Sequence, residues 1–153
     1  MIPTNEAGPE RGDFKGIVTD RPIGIVNAHI MAFAVTDREV YAAGGTSSTT
    51  HEPLNIVELS FPDDITNGIH TFTTDGAVKA VTYSEGIHSD VKFEGIKNGI
   101  GFIYIDFNRK AGTLFAVIVG VELAHPLQPD FPNPKLNVII NAKDLIDNDQ
   151  AKE

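Results

Sequence analysis

The five histidines are the residues of this sequence best suited to hold a metal ion or to move a proton near neutral pH. They stand at positions 29, 51, 70, 88 and 125, and no two have the i, i+2 or i, i+4 spacing that lets one strand or helix present two imidazoles to a metal. The chain has no cysteine, which removes thiolate ligands, thiol nucleophiles and disulfides together. We therefore expect no metal site and no cofactor, and we interpret the histidines as surface or rim residues.

Hydroxyl side chains lie close to one of these histidines in a glycine-rich run, residues 44–53. Thr46 and Ser47 precede His51 in this run, so hydroxyls and an imidazole are near each other in the sequence. No G-x-S-x-G elbow surrounds a serine, and neighbouring residues do not usually align as nucleophile and base. The run also lacks the lysine of a phosphate-binding loop. It predicts a loop without a catalytic group.

Carboxylates gather in two places, at Asp63 and Asp64 and in the tail at Asp144, Asp147 and Asp149. Oxygen ligands of this kind suit calcium, but the tail lacks the glycine and the terminal bidentate glutamate of an EF-hand loop at the required offsets. We interpret both groups as solvated turns.

The composition is typical of a globular protein with one domain. The 153 residues are 41% hydrophobic, and 12 Lys and Arg against 21 Asp and Glu give a formal net charge of −9. This charge repels phosphate backbones and anionic lipid surfaces, so nucleic acid is not expected as a partner. No stretch reaches the ~18 apolar residues of a membrane span, and no signal peptide is recognisable. We expect a soluble protein without membrane insertion. Its location is undetermined, and an extracytoplasmic one would require that a signal peptide had been removed.

Two turn signals, residues 97–99 and 108–112, predict an antiparallel meander in the second half of the chain. The strands that they separate are predicted at 90–96, 100–107 and 113–123. Further strands are predicted at 54–61, 69–74, 78–84 and 135–141, at 38–43, and at 23–35, where residues 31–34 would also suit a short helix. The predicted fold class is all-β, an antiparallel β-sandwich or flattened barrel of about eight to ten strands. We expect one β domain over residues 14–146, between a flexible N-terminal arm (1–13) and a flexible acidic tail (147–153).

The strands predicted at 100–107 and 113–123 are apolar on both faces. Ile103, Ile105 and Ile118 offer more β-branched surface than one face of a sandwich readily buries. These strands are therefore expected to be central in the sheet or to meet another subunit, and we predict a homo-oligomer.

The stretch 55–123 resembles, in its pattern, β-rich domains of unknown function in small bacterial secreted lipoproteins and related calycin-like or sandwich modules. The resemblance covers less than half of the chain and is carried by turn chemistry around the strand Ile56-Val57-Glu58-Leu59, the turn Asn67-Gly68-Ile69 and the strand Gly112-Thr113-Leu114-Phe115-Ala116-Val117. The lipobox cysteine of those proteins has no counterpart here. The resemblance implies a β-rich scaffold and transfers no catalytic residue.

A scaffold without a reactive cluster is typical of binding proteins, and we expect a noncatalytic binding or interaction module. Long connections between strands usually carry recognition, so the binding residues are expected in the loops 44–53 and 124–134. The residues proposed are Thr46, Ser47, His51, His125 and Phe131. The partner, a protein or a small molecule, is undetermined.

Two alternatives stay open at this point. In the first, the chain is a carrier whose half-open barrel holds an apolar small molecule. Aromatic side chains would line that cavity: Phe72, Tyr83, Phe93, Phe102, Tyr104 and Phe115. In the second, the chain is a hydrolase that uses His and Asp from different loops.

Overall fold

Eleven β-strands and no helix form the part of the chain that the structure, a computed structural model, describes: residues 8–21, 25–45, 55–85, 91–124 and 132–149. The strands are β1 (Gly8–Val18), β2 (Ile25–Thr36), β3 (Glu39–Gly45), β4 (Asn55–Pro62), β5 (Gly68–Thr71), β6 (Ala80–Glu85), β7 (Val91–Gly95), β8 (Phe102–Asn108), β9 (Thr113–Ala124), β10 (Lys135–Ala142) and β11 (Ile146–Asp147). The all-β prediction is confirmed. Over these ranges, no helix has the length and apolar character needed to cross a membrane.

Eight of the strands close into an antiparallel barrel. Their order around the ring is β10-β1-β2-β3-β4-β6-β7-β9, and β9 pairs in turn with β10. β8 and β5 extend the sheet from β9, and β11 pairs in parallel with β2. Of the two architectures that the sequence left open, the barrel is therefore confirmed.

A bulge allows β9 to pair with three neighbouring strands. Residues 113–119 lie beside β8, whereas Leu123 and Ala124 lie beside β7. Between these segments Gly120 has a φ of +63°, which glycine adopts without steric cost, and its N–H donates to the Asn137 side chain at 2.9 Å. The register with β10 shifts at the same place. The resulting bend brings the end of β9 to β7 and closes the ring.

Inward-facing side chains fill the barrel. Alternation along β4 places Val57, Leu59 and Phe61 inside, each with 0% exposure. The Phe107 ring meets Phe33 and Phe61 edge to face, with centroids 6.3 and 5.6 Å apart. The interior is thus a packed apolar core.

Ile103, Ile105 and Ile118 belong to this core. All three are 0% exposed, so they do not supply the surface predicted for another subunit. They are buried because one face of β8 and of β9 covers the barrel interior. The side chains left exposed lie on the opposite face of the same strands, and self-association stays a prediction that must rest on that face.

Strands extend into both segments that the sequence predicted as flexible, the N-terminal arm and the acidic tail. β1 begins at Gly8, inside the segment predicted as an arm, because β2 and β10 lie on either side of β1 and supply hydrogen-bond partners. In the tail, β11 pairs with β2, and the Asn148 N–H donates to the Val35 carbonyl oxygen at 2.9 Å. Residues 31–34, for which a helix was the alternative, lie in β2. Residues 1–7 and 150–153 lie outside the described ranges.

Candidate functional site

The five residues predicted to bind a partner lie outside the described residues: Thr46, Ser47, His51, His125 and Phe131. The strands on either side of them are described. β3 ends and β4 begins at the same end of the barrel at which β9 ends and β10 begins, because neighbouring strands of the ring are antiparallel. Both predicted binding loops are therefore attached to one rim, and their role stays a prediction.

An arginine and a glutamate pair at this same rim. Arg21 Nε donates to Glu85 Oε2 at 3.0 Å, and Arg21 Nη2 donates to Oε1. The buried Tyr83 hydroxyl donates to Oε2 at 2.9 Å, and the guanidinium lies 4.8 Å from the centre of the Phe93 ring. Burial and the bond to Glu85 raise the pKa of Tyr83, and the bond to Glu85 raises the pKa of Arg21. The cluster therefore joins the segment after β1 to the end of β6.

The six aromatic side chains predicted to line a cavity do not share one face of the sheet. Three of them lie in the core and are at most 4% exposed: Phe72, Tyr83 and Phe93. The other three lie on the outer face of β8 and β9: Phe102, Tyr104 and Phe115.

The outer face of β5, β8, β9 and β10 is apolar over a continuous area, called here the apolar wall. A row of four residues crosses it in register, with Ile69 beside Tyr104, Tyr104 beside Val117 and Val117 beside Ile139. Ile69 is 68% exposed and Ile139 is 46% exposed. The row places apolar side chains of four adjacent strands in contact with solvent.

Two phenylalanines widen this row. Phe102 is 37% exposed and Phe115 is 40% exposed, and the Phe115 ring meets Tyr104 edge to face at 6.1 Å between centroids. The apolar wall exposes on the order of 300 Å² of large apolar side chain, a size at which a surface patch on a monomer is often functional.

Charges of both signs surround the apolar wall. Three lysines and three carboxylates occupy outer positions on β1, β8, β9 and β10 or directly after β10: Lys15, Lys135, Lys143, Asp13, Asp106 and Glu122. Their formal charges sum to zero, whereas the whole chain carries −9. A groove of about 350 Å³ lies beside Phe115 and includes Asp106 and Lys143. This side of the barrel is therefore less negative than the chain as a whole.

A second groove, of about 480 Å³, lies on the opposite side of the ring over β2, β3, β4, β6 and β7. We call it the Glu58 groove. Its lining combines apolar and polar side chains: Met31, Ala32, Tyr41, Ala43, Ile56, Glu58, Ser84 and Lys92. Register pairing places Glu58 between Ala43 of β3 and Thr82 of β6.

Both oxygens of the Glu58 carboxylate accept hydrogen bonds from protein hydroxyls. Tyr41 donates to Oε2 at 2.5 Å and Thr82 donates to Oε1 at 2.8 Å, while Lys92 Nζ lies 3.8 Å from Oε1. Burial alone would raise the pKa of Glu58, but the two hydroxyls and the charge of Lys92 outweigh it and lower the pKa. Burial and the bond to Glu58 raise the pKa of Tyr41. The groove therefore presents a fixed carboxylate beside a neutral phenol.

Sequence reasoning did not single out this cluster. The available signal was Glu58 itself, the one charged residue of its strand. Its hydroxyl partners are 17 and 24 positions away in the chain, so only the pairing of β3, β4 and β6 brings them together.

Arg109 holds a cluster of carboxylates at the other end of the barrel. Its Nε and Nη2 donate to Asp147 at 2.6 and 2.9 Å, and Nη1 donates to Asp63 at 2.7 Å. The Asp149 carboxylate accepts two backbone N–H groups of the β2–β3 turn, each at 2.8 Å. The bond to Asp147 is the main cause that raises the pKa of Arg109. The interpretation of these aspartates as solvated turns is thus wrong for Asp63 and Asp147, whose side chains are 8% and 13% exposed.

Two of the five histidines lie within the described ranges. His70 Nε2 donates to the Thr66 carbonyl oxygen at 2.6 Å, and His29 Nδ1 is buried without a hydrogen-bond partner. No group of three or more His, Cys, Asp or Glu in the described part of the chain could hold a metal ion.

Comparisons with protein-family models, with curated proteins and with solved structures find no match to this chain. The function is therefore argued from its two outer surfaces, the apolar wall and the Glu58 groove.

Proposed function

We propose that this chain is a noncatalytic interaction module whose apolar wall binds a second copy of the same chain. The observation that carries the proposal is the exposed row from Ile69 to Ile139 on the outside of a barrel that is already filled by its own side chains. Contact with a protein surface removes such a row from water, which contributes about 25 cal/mol per Å² of apolar area. Recognition then lies on the outer wall instead of the interior.

The state of the described carboxylates supports a noncatalytic role. A general acid or base must lie within hydrogen-bond reach of the substrate atom on which it acts. Glu58 is held by two hydroxyls, Glu85 by Arg21 and Tyr83, and Asp147 by Arg109. These three carboxylates are held in fixed positions by protein donors, which favours a noncatalytic role over the hydrolase alternative. The packed interior likewise gives the carrier alternative less support.

The choice of a second copy as partner rests on charge. In a two-fold dimer the same patch faces itself, so each charge at its edge meets a symmetry-related surface. The edge of the apolar wall carries both signs in equal number. For example, Lys15 lies beside Asp13, and both Asp106 and Lys143 lie in the groove beside Phe115. Two chains of charge −9 repel each other least where the local charge is balanced.

Analytical ultracentrifugation over a range of protein concentrations tests this proposal. The wild-type chain should form a dimer, and Phe115→Lys or Ile139→Lys should weaken dimerisation at least about tenfold, because each places a charge in the contact. Met31→Lys is the matched control, since it adds the same charge at a 45% exposed position on the opposite side of the ring. A wild-type chain that is monomeric at the highest concentration would refute the proposal. Equal effects of Phe115→Lys and Met31→Lys would place the contact elsewhere.

A further inference from the structure

Lys92 indicates what kind of group fits the Glu58 groove. Its ammonium lies 3.8 Å from Glu58 Oε1, beyond ordinary hydrogen-bond distance, and its side chain is 49% exposed. Exposed pairs of this kind are held weakly and exchange readily with solvent. A primary ammonium thus already occupies the approach to the carboxylate, without filling the groove or making a close bond.

The carboxylate itself is fixed in place. The hydroxyls of Tyr41 and Thr82 each hold one of its oxygens, at 2.5 and 2.8 Å. A carboxylate oxygen has more than one acceptor site, so each can accept a further donor from the groove side. A cation that binds there meets an acceptor whose orientation needs no adjustment.

The rest of the groove suits an apolar body. Met31, Ala43 and Ile56 line it beside the carboxylate, and its volume of about 480 Å³ is within the range of small-molecule sites. The charge of −9 on the chain also favours approach of a cation over that of an anion. Charge and shape together describe an amphipathic cation.

We propose that the Glu58 groove binds an organic ammonium ion with an apolar body, such as an alkylamine, and that Lys92 is a tethered competitor for the same carboxylate. The ligand ammonium binds Glu58, and its hydrocarbon chain lies against Met31 and Ile56. Lys92 swings into solvent when the ligand enters. The site is on the opposite side of the ring from the apolar wall, so its failure and the failure of self-association are separate results.

Titration with hexylammonium chloride at neutral pH, followed by heteronuclear NMR, tests the proposal, with sodium hexanoate as the matched anionic probe. Glu58→Gln should weaken hexylammonium binding at least about tenfold, because the neutral amide has the same shape without the charge. Lys92→Met should strengthen it at least about threefold, because the competing ammonium is removed and the apolar stem is kept. Hexanoate should bind neither the wild-type chain nor the Glu58→Gln and Lys92→Met variants.

Three results would overturn the proposal, two with the probes and one with a second variant. One is the absence of hexylammonium binding in both the wild-type chain and Lys92→Met. Another is hexanoate binding that Lys92→Met abolishes, since the groove would then select anions through Lys92. Met31→Lys provides a second variant in case Glu58→Gln does not fold, because Met31 lines the groove and is 45% exposed. It adds a second ammonium to the groove and should abolish hexylammonium binding, so retained binding would also contradict the proposal.

Discussion

Replacing Arg109 by methionine should destabilise the end of the barrel to which the tail is attached. The guanidinium makes two hydrogen bonds to Asp147, at 2.6 and 2.9 Å, and one to Asp63, at 2.7 Å. Methionine keeps an apolar stem of similar length but removes the charge and the donors. The two carboxylates would then stay desolvated without their main partner. Arg38 would still lie near one of them, with its Nε 3.8 Å from Asp63 Oδ1.

The size of the effect follows from burial. Removal of one partner from a buried ion pair costs about 3–5 kcal/mol, whereas an exposed pair contributes about 0.2–1 kcal/mol. The side chains of Asp63 and Asp147 are 8% and 13% exposed, but that of Arg109 is 30% exposed, so water screens part of the interaction. We expect Arg109→Met to lower the free energy of unfolding by about 2 kcal/mol, or Tm by about 4–8 °C for a chain of this length.

Urea denaturation followed by circular dichroism at neutral pH measures this loss. Arg38→Gln is the matched control, because Arg38 also faces Asp63 but is 78% exposed, and it should cost less than about 0.5 kcal/mol. The loss of stability for Arg109→Lys should fall between the two, since lysine keeps the charge but cannot form the bidentate hydrogen bond to Asp147. Equal losses for Arg109→Met and Arg38→Gln would refute the reasoning, because burial of the carboxylates would then have no effect.

Three further changes test other parts of the structure. The lowered pKa of Glu58 means that its carboxylate stabilises the fold above about pH 4.5 and that this contribution is lost as the pH falls through the folded-state pKa. Glu58→Gln should therefore lose less stability than the wild type on acidification, as measured by urea denaturation, and equal losses would contradict this. The chain has three tyrosines, so a Tyr104→Phe variant leaves Tyr41 and Tyr83 as the source of the tyrosine signal. Both should ionise above their ordinary pKa of 10.0, and the free energy of unfolding should fall as the pH rises above that value. Near-ultraviolet absorbance follows the ionisation, and titration at the ordinary pKa in the folded chain would be the opposing result. Gly16→Ala should severely destabilise or unfold the chain, because its Cβ would lie 1.8 Å from a backbone carbonyl oxygen of β10. A thermal melt like that of the wild type would show that β1 does not pack there.

The strands with strong local signals could be predicted from the sequence. β4, β9 and β10 were predicted to within one residue at each end, because alternation of apolar residues and clear turn residues bound them. β1 and β11 were not predicted as strands. β11 has two residues and β1 begins in a polar segment, so both depend on the strands that pair with them.

The candidate sites were beyond sequence reasoning for a related reason. Arg109 bonds to Asp63 and Asp147, which are 46 and 38 positions away along the chain. Only closure of the barrel brings these residues together. The alternation of β8 did indicate two apolar faces, but it could not say which face the core would bury. Ile103 lies inside and Tyr104 outside because the register pairs Ile103 with the buried Ile118 of β9 and Tyr104 with Val117 on the outer face of β9.

Distance measurement between spin labels tests the central claim, that the apolar wall is the surface of self-association. The chain has no cysteine, so a single introduced cysteine carries the label alone. Lys15→Cys places the label on β1 beside Ile139 of the apolar wall. Glu39→Cys places it on β3, on the side of the ring that faces away from the apolar wall. Pulsed electron paramagnetic resonance should give a shorter distance between the two copies for the Lys15→Cys label than for the Glu39→Cys label. The reverse order, or no dipolar coupling from the Lys15→Cys label at any protein concentration, would contradict the account.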